Sequence, residues 1–194
     1  MALKTVVFYG SVRSHRQGIR AARFIMGRLR ERGHDATLID PAVYRLPLLD
    51  YMYKEYGQGE APDPLPELAR LYRQADGFVI CSGEYNHGIP PALKNLLDHF
   101  LEEYFFRPSA IVSYSAGSFG GVRAAMQLRM TLAELGMPSI SSLLAVPRVQ
   151  DQFAEDGTPD DTETWIRRAS RFLDDLEWWQ EAAHRQREAK GTPF

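Results

Sequence analysis

Short apolar runs alternate with longer amphipathic stretches along most of the chain. Thr5-Val6-Val7-Phe8-Tyr9 is a continuous apolar run closed by Gly10, the pattern of a strand covered on both faces, as in a parallel sheet. Behind it, Ile19, Ala22, Met26 and Leu29 recur at helical spacing. Arg20, Arg23, Arg28 and Arg30 fall elsewhere and read as a solvated face, and Gly33 stands where a C-terminal cap belongs. The alternation then repeats. Residues 36–39 read as strand, 65–74 as helix, 77–82 as strand, 90–101 as helix, 110–114 as strand, 122–135 as helix closed by Gly136, and 140–146 as strand. Five strands alternating with helices predict right-handed crossovers and a three-layer, doubly wound α/β fold around a five-stranded parallel sheet. From Thr162, the apolar positions Trp165, Ala169, Phe172, Leu173, Leu176 and Trp179 form a last helical stripe, with Asp160 and Asp161 placed to cap its start. The pattern describes one domain over residues 1–183, and the polar stretch 184–194 is expected to fray.

One stretch has neither period. Residues 43–64 carry Tyr44, Tyr51, Tyr53 and Tyr56 with Pro47, Pro62 and Pro64, just after Pro41. Compact domains rarely keep so long a loop without a use, and tyrosines suit a lid over a planar ligand or a subunit contact, against the plainer reading of a surface loop. No internal repeat or linker divides the chain.

Composition narrows the function. A net charge of -2 supplies no positive field for nucleic acid or an anionic membrane. No apolar run approaches the roughly 20 residues that span a bilayer. Met1-Ala2-Leu3-Lys4 leads straight into a strand without the features of a signal peptide, so a cytoplasmic protein is expected. The single cysteine, Cys81, ends the apolar run Phe78-Val79-Ile80 and reads as a buried core residue rather than a catalytic thiol. The five histidines show no paired ligand spacing, so no metal site is expected.

Ligands of open parallel sheets bind beyond the carboxyl ends of the strands, where the winding reverses. Three strand-to-helix loops there carry unusual residues. In 10–18, Ser11 and Ser14 offer hydroxyls, Arg13 and Arg16 offer guanidinium forks, and the helix start offers unpaired amides, which together suit a phosphate; an ordinary polar turn is the competing reading. Neither G-x-G-x-x-G nor G-x-x-x-x-G-K-[ST] occurs here, which leaves Asp40 weak as a ribose-binding acid. In 82–91, Tyr85, Asn86 and Gly88 combine a ring, an amide and close backbone approach, a mixture suited to a flat heterocycle edged with N–H and C=O groups. His87 reads as structural. In 113–121, Gly117, Gly120 and Gly121 let amides face a ligand or serve only a tight turn, and Ser115 lacks the glycine and the partners of a hydrolase elbow.

Taken together, G-S-V-R with R-Q-G-I, then E-Y-N-H-G-I-P-P-A-L-K-N-L-L-D, then S-A-G-S-F-G-G with R-A-A-M-Q-L-R, resemble the NADPH-dependent FMN reductase family over residues 4–146. The resemblance implies a flavodoxin-like fold holding FMN, usually in homodimers or homotetramers, with NADPH or NADH as electron donor. The small-molecule acceptor it implies is a flavin, quinone, azo compound or metal oxyanion. It implies an FMN phosphate on Ser11, Arg13, Arg16, Gln17, Gly18 and Ile19. It sets Glu84, Tyr85, Asn86, His87 and Gly88 along the isoalloxazine and ribityl chain, and Ser115, Ala116, Gly117, Gly120 and Gly121 at the ring's other edge. Because the flavin is the reactive group, no dedicated catalytic side chain is implied; proton donation by His87 or a loop tyrosine stays open. Relatives commonly read Pro before Glu-Tyr-Asn where Gly83 stands here. The aromatic excess at Tyr104-Phe105-Phe106 points to a subunit interface. A flavodoxin-type electron carrier and a binding module without the reaction are the rival readings.

Overall fold

A computed structural model describes residues 1–194. Five strands, β1 (Lys4–Tyr9), β2 (Asp35–Ile39), β3 (Gly77–Ser82), β4 (Ser109–Tyr114) and β5 (Ser139–Val146), pair in parallel in the order β2-β1-β3-β4-β5. Five helices cover the sheet: α1 (Ile19–Glu31), α2 (Leu65–Gln74), α3 (Pro91–Asp98), α4 (Val122–Glu134) and α5 (Thr162–Lys190).

Two-residue periodicity explains why both faces are covered. Val7 and Tyr9 of β1, with Val79 and Cys81 of β3, point into the layer beneath α1 and α5. Their neighbours Val6, Phe8, Phe78 and Ile80 point into the layer beneath α2, α3 and α4. The winding reverses between β1 and β3, so the loops after β1, β3 and β4 rise side by side at one end of the sheet.

Three expectations need correction. The helix read over 90–101 stops at Asp98, because His99 is buried and Glu103, only 1% exposed, takes the Leu101 amide and the Arg73 guanidinium. That turn drives Phe100 and Tyr104 into the core against Tyr72. Secondly, 184–194 does not fray from its start: α5 runs to Lys190 because its polar residues have a partner. Buried Asp76 at the foot of β3 accepts from the Lys4 amide at 2.8 Å, holds His184 at 2.7 Å and Arg187 at 3.1 Å. Along the same helix Trp179 is half exposed, whereas Gln180 is fully buried and donates to Thr5 Oγ1 at 2.9 Å. Thirdly, Arg20 is no solvated residue; its guanidinium donates to the Gln150 and Phe153 carbonyls and ties α1 to the segment after β5. At the start of α5, Asp161 caps by accepting from the Thr164 amide, while Asp160 contributes its own amide to the Gln152 carbonyl.

The 43–64 stretch contains a single 3-10 turn, Tyr53–Glu55. Tyr44, Tyr53 and Tyr56 pack against the α2/α3 layer, which leaves Tyr51 as the exposed tyrosine. Asn95 of α3 pins the stretch, accepting from the Leu49 amide and donating to the Pro47 carbonyl. No helix is long and apolar enough to cross a membrane.

Candidate functional site

The turn after β1 is braced from two sides. Ser11 is buried; its Oγ lies 2.8 Å from the Tyr85 hydroxyl and accepts from the Arg13 amide. Arg16 reaches the other way, 2.5 Å from Asp40 at the end of β2 and 3.2 Å from the Ser11 carbonyl. The Asp40 carboxylate, more than offsetting partial burial, raises the affinity of Arg16 for a proton. Arg16 is therefore a brace, and Asp40 is its anchor. Arg13 lies exposed with its guanidinium unpaired.

Two helix starts face the site, and their chemistry differs. The N-terminus of α1 has no side-chain cap and no acidic residue in its first turn, so its positive end is open to an anion. The N-terminus of α4 is closed: Glu84 accepts from the Arg123 and Ala124 amides at 2.9 and 3.2 Å, with the Arg123 guanidinium 3.4 Å away. Glu84 thus spends its carboxylate on the helix rather than facing open space.

Between them stands a two-residue hairpin. Tyr85 and Gly88 exchange both backbone hydrogen bonds, which forces Asn86 to φ 50° and His87 to φ 67°. A non-glycine residue in this region is strained by about 1 kcal/mol or more. The hairpin is held by Gln127, which donates to the His87 carbonyl, and it leaves both strained side chains exposed.

The loop after β4 is knotted by its own serine. Ser115 Oγ accepts from the Gly120 amide and donates to the Gly117 carbonyl, both at 2.9 Å. Ala116 and Gly117 remain exposed, and nothing lies within 4 Å of where a Gly117 Cβ would stand. Gly121 begins α4 at φ 74°, where a Cβ would meet the Tyr114 carbonyl at 2.6 Å.

All sixteen residues singled out from sequence lie on these three loops or the α1 start they lead into. Their free chemistry is uneven. Arg13, Asn86, His87, Ala116 and Gly117 are open, whereas Arg16, Glu84 and Ser115 are committed within the protein. Ile19 is half buried and packs against the α1/α5 layer. Sequence reasoning missed Tyr9 and Tyr114 beneath the turn, Gln150 beside it, and Phe119, which is 63% exposed with the Arg123 guanidinium 4.5 Å over its ring. Phe119 was legible as an aromatic inside S-A-G-S-F-G-G; the tyrosines looked like ordinary strand ends. Cys81 is fully buried and its pKa is pushed up by loss of solvation, so it is a core residue and no nucleophile.

The family profile of NADPH-dependent FMN reductases matches residues 3–151. The chain belongs to that family. Membership makes it an oxidoreductase of the NAD(P)H-dependent FMN reductase type, with FMN and a nicotinamide as cofactors. It is 29% identical to an NADPH azoreductase of Bacillus sp. (strain OY1-2) over 161 residues, 81% of this chain and 85% of that one. It is 35% identical to a quinone reductase of Escherichia coli (strain K12) over 100 residues, 49% of this chain and 52% of the relative. Its fold is similar to that of FerB, a flavoenzyme NAD(P)H:(acceptor) oxidoreductase from Paracoccus denitrificans, with a TM-score of 0.75 at 19% identity over 93% of this chain and 98% of the other. A flavodoxin from Pseudomonas aeruginosa superimposes with a TM-score of 0.57 at 17% identity over 90% of this chain and 99% of that one. The fold is therefore flavodoxin-like.

The donor set fits an FMN. Six buried side-chain atoms in the chain lack a hydrogen-bond partner, and four of them, on Tyr9, Gln17, Tyr114 and Gln150, gather around the turn and the adjoining β5 loop. Native folds leave few such atoms, and their concentration here is compatible with a polar ligand.

Proposed function

We propose that the protein passes a hydride from NADPH or NADH, through FMN seated on the three loops, to a small organic acceptor. The observation that carries this reading is the 2.8 Å contact between Ser11 Oγ and the Tyr85 hydroxyl, which couples the open helix start of α1 to the strained hairpin. One ligand with an anionic end and a flat end suits both halves.

When bound, FMN supplies the two-electron chemistry. The chain's own residues bind and orient. Arg13, Ser11 and the first amides of α1 hold the phosphate, with Arg16 and Asp40 keeping the turn in shape. Tyr85, Asn86 and His87 border one edge of the ring, and the exposed Ala116-Gly117 backbone borders the other. A cavity of about 330 Å³ lined by Val12, Leu46, Leu48, Pro91 and Leu96 adjoins the turn and suits the apolar part of an acceptor such as a quinone.

Anaerobic rapid mixing of the FMN-loaded protein with NADPH tests the reading. The visible flavin band is expected to bleach and to return on adding a quinone. A band that NADPH and NADH both leave intact would instead favour an electron carrier.

The expected subunit contact is reassigned. Tyr104 is core, and Phe105 and Phe106 pack on Phe194 of the same chain at 5.4 and 5.0 Å. Among the uncovered apolar side chains, Phe119, Met126 and Met130, the last 70% exposed, share α4 and the loop that leads into it. A homodimer through this face is the reading they support. Light scattering is expected to give twice the chain mass, and Met130→Glu to give the chain mass; a monomeric unmodified protein ends the proposal.

A further inference from the structure

Two stacked phenols floor the turn. Tyr9 ends β1 and is fully buried; Tyr114 ends β4 and is 8% exposed. Their rings lie 6.2 Å apart and nearly parallel, at 18°, and the two hydroxyls, which interact with one another, meet no partner in good hydrogen-bond geometry. The direction of Tyr114 is fixed by the glycines around it. A Cβ on Gly18 would stand 2.0 Å from its Cζ, and one on Gly83 would stand 3.2 Å from its hydroxyl oxygen. The hydroxyl is thus wedged between the N-cap of α1 and the segment that leads to Glu84. The Arg16 guanidinium lies 5.4 Å from the Tyr9 ring centre on the same turn.

A buried hydroxyl without a well-formed hydrogen bond is costly, so two of them at an uncapped helix start suit an occupant. A phosphate there would offer acceptors to both. Loss of solvation holds the Tyr114 proton well above the usual phenol range, so the group stays a donor across working pH.

We infer that Tyr114 determines specificity for a phosphorylated flavin, donating its hydroxyl hydrogen bond to the anion captured at the 11–18 turn, with the Tyr9 hydroxyl behind it. The inference rests on the proposal that this turn takes the FMN phosphate. It also accounts for Gly83. Any side chain at that position would bring a Cβ to 3.1 Å from the Tyr114 ring, so the glycine leaves the space the phenol needs.

The test is Tyr114→Phe, which keeps the ring and removes one oxygen. Flavin-free protein is titrated with FMN and with riboflavin, read by quenching of flavin fluorescence, and melted with and without saturating FMN. The variant is expected to bind FMN about tenfold more weakly, the scale of a charge-assisted hydrogen bond, and riboflavin unchanged. Its flavin-free melting midpoint is expected to stay level or rise, because an unpaired buried oxygen has gone, while the rise on adding FMN shrinks. Equal weakening for both flavins, unchanged FMN affinity, or a lowered flavin-free midpoint would each overturn the inference, the last by showing the hydroxyl already satisfied within the fold. Failure of the unsubstituted protein to bind FMN, or equal affinity for FMN and riboflavin, would instead overturn the underlying phosphate assignment.

Discussion

Arg13→Ala is expected to weaken FMN binding about ten- to hundredfold, the loss of about 1.5–3 kcal/mol that follows removal of a charged donor, with riboflavin binding and the melting midpoint unchanged. Arg16→Ala is expected to behave differently, although the two arginines stand three residues apart in one turn. Arg13 has no partner within the protein, so its removal strands nothing. Arg16 holds Asp40, which is 7% exposed, and its loss leaves that carboxylate buried with the Ala42 amide but no opposite charge. The Arg16 side chain keeps 24% of its surface in water, so screening reduces the penalty to about 2 kcal/mol, or roughly 4–8 °C for a chain of this size. Flavin titration and thermal melting separate the two effects. An Arg13→Ala protein that still prefers FMN over riboflavin as strongly as before would place the phosphate elsewhere, and an Arg16→Ala protein that melts normally would show that Asp40 does not brace the turn.

That contrast marks what the sequence carried and what it did not. The strands were legible because each is a short apolar run whose alternate residues serve the two layers, as Val7 and Tyr9 do against Val6 and Phe8. The position of the site was legible as well, because polar and glycine-rich loops follow β1, β3 and β4, and the reversal of the sheet sets them together. Pairing across strands was not. Arg16 meets Asp40 only because β2 lies beside β1, and the sequence around Asp40 offered a weak ribose-binding reading and no sign of an anchor. Glu84 belongs to a conspicuous motif, yet its carboxylate closes α4, thirty-nine residues on. The same holds at the far end of the molecule, where the polar end of α5 gave no sign of Asp76, 108 residues before His184. Local pattern sets an element's type; long-range partners set its ends and decide which polar groups stay free.

Gly18→Ala and Gly121→Ala are each expected to destabilise the protein by about 3 kcal/mol and to abolish FMN uptake at micromolar concentration, for reasons that a second substitution tells apart. At Gly18 the backbone is ordinary, with φ -65°, and the obstacle is a side chain, since the added methyl would lie 2.0 Å from Tyr114 Cζ. At Gly121 the obstacle is the backbone itself: φ is 74°, and the methyl would lie 2.6 Å from the Tyr114 carbonyl oxygen, which no change of side chain can move. Adding Tyr114→Ala should therefore recover most of the stability lost at Gly18 relative to Tyr114→Ala alone, a strong coupling in a double-mutant cycle, and recover nothing at Gly121. Denaturant melts of the five variants and the parent give both cycles directly. Additive losses at Gly18 and Tyr114 would mean that the phenol does not pack against the start of α1, and the floor assigned to the phosphate turn would fall with it.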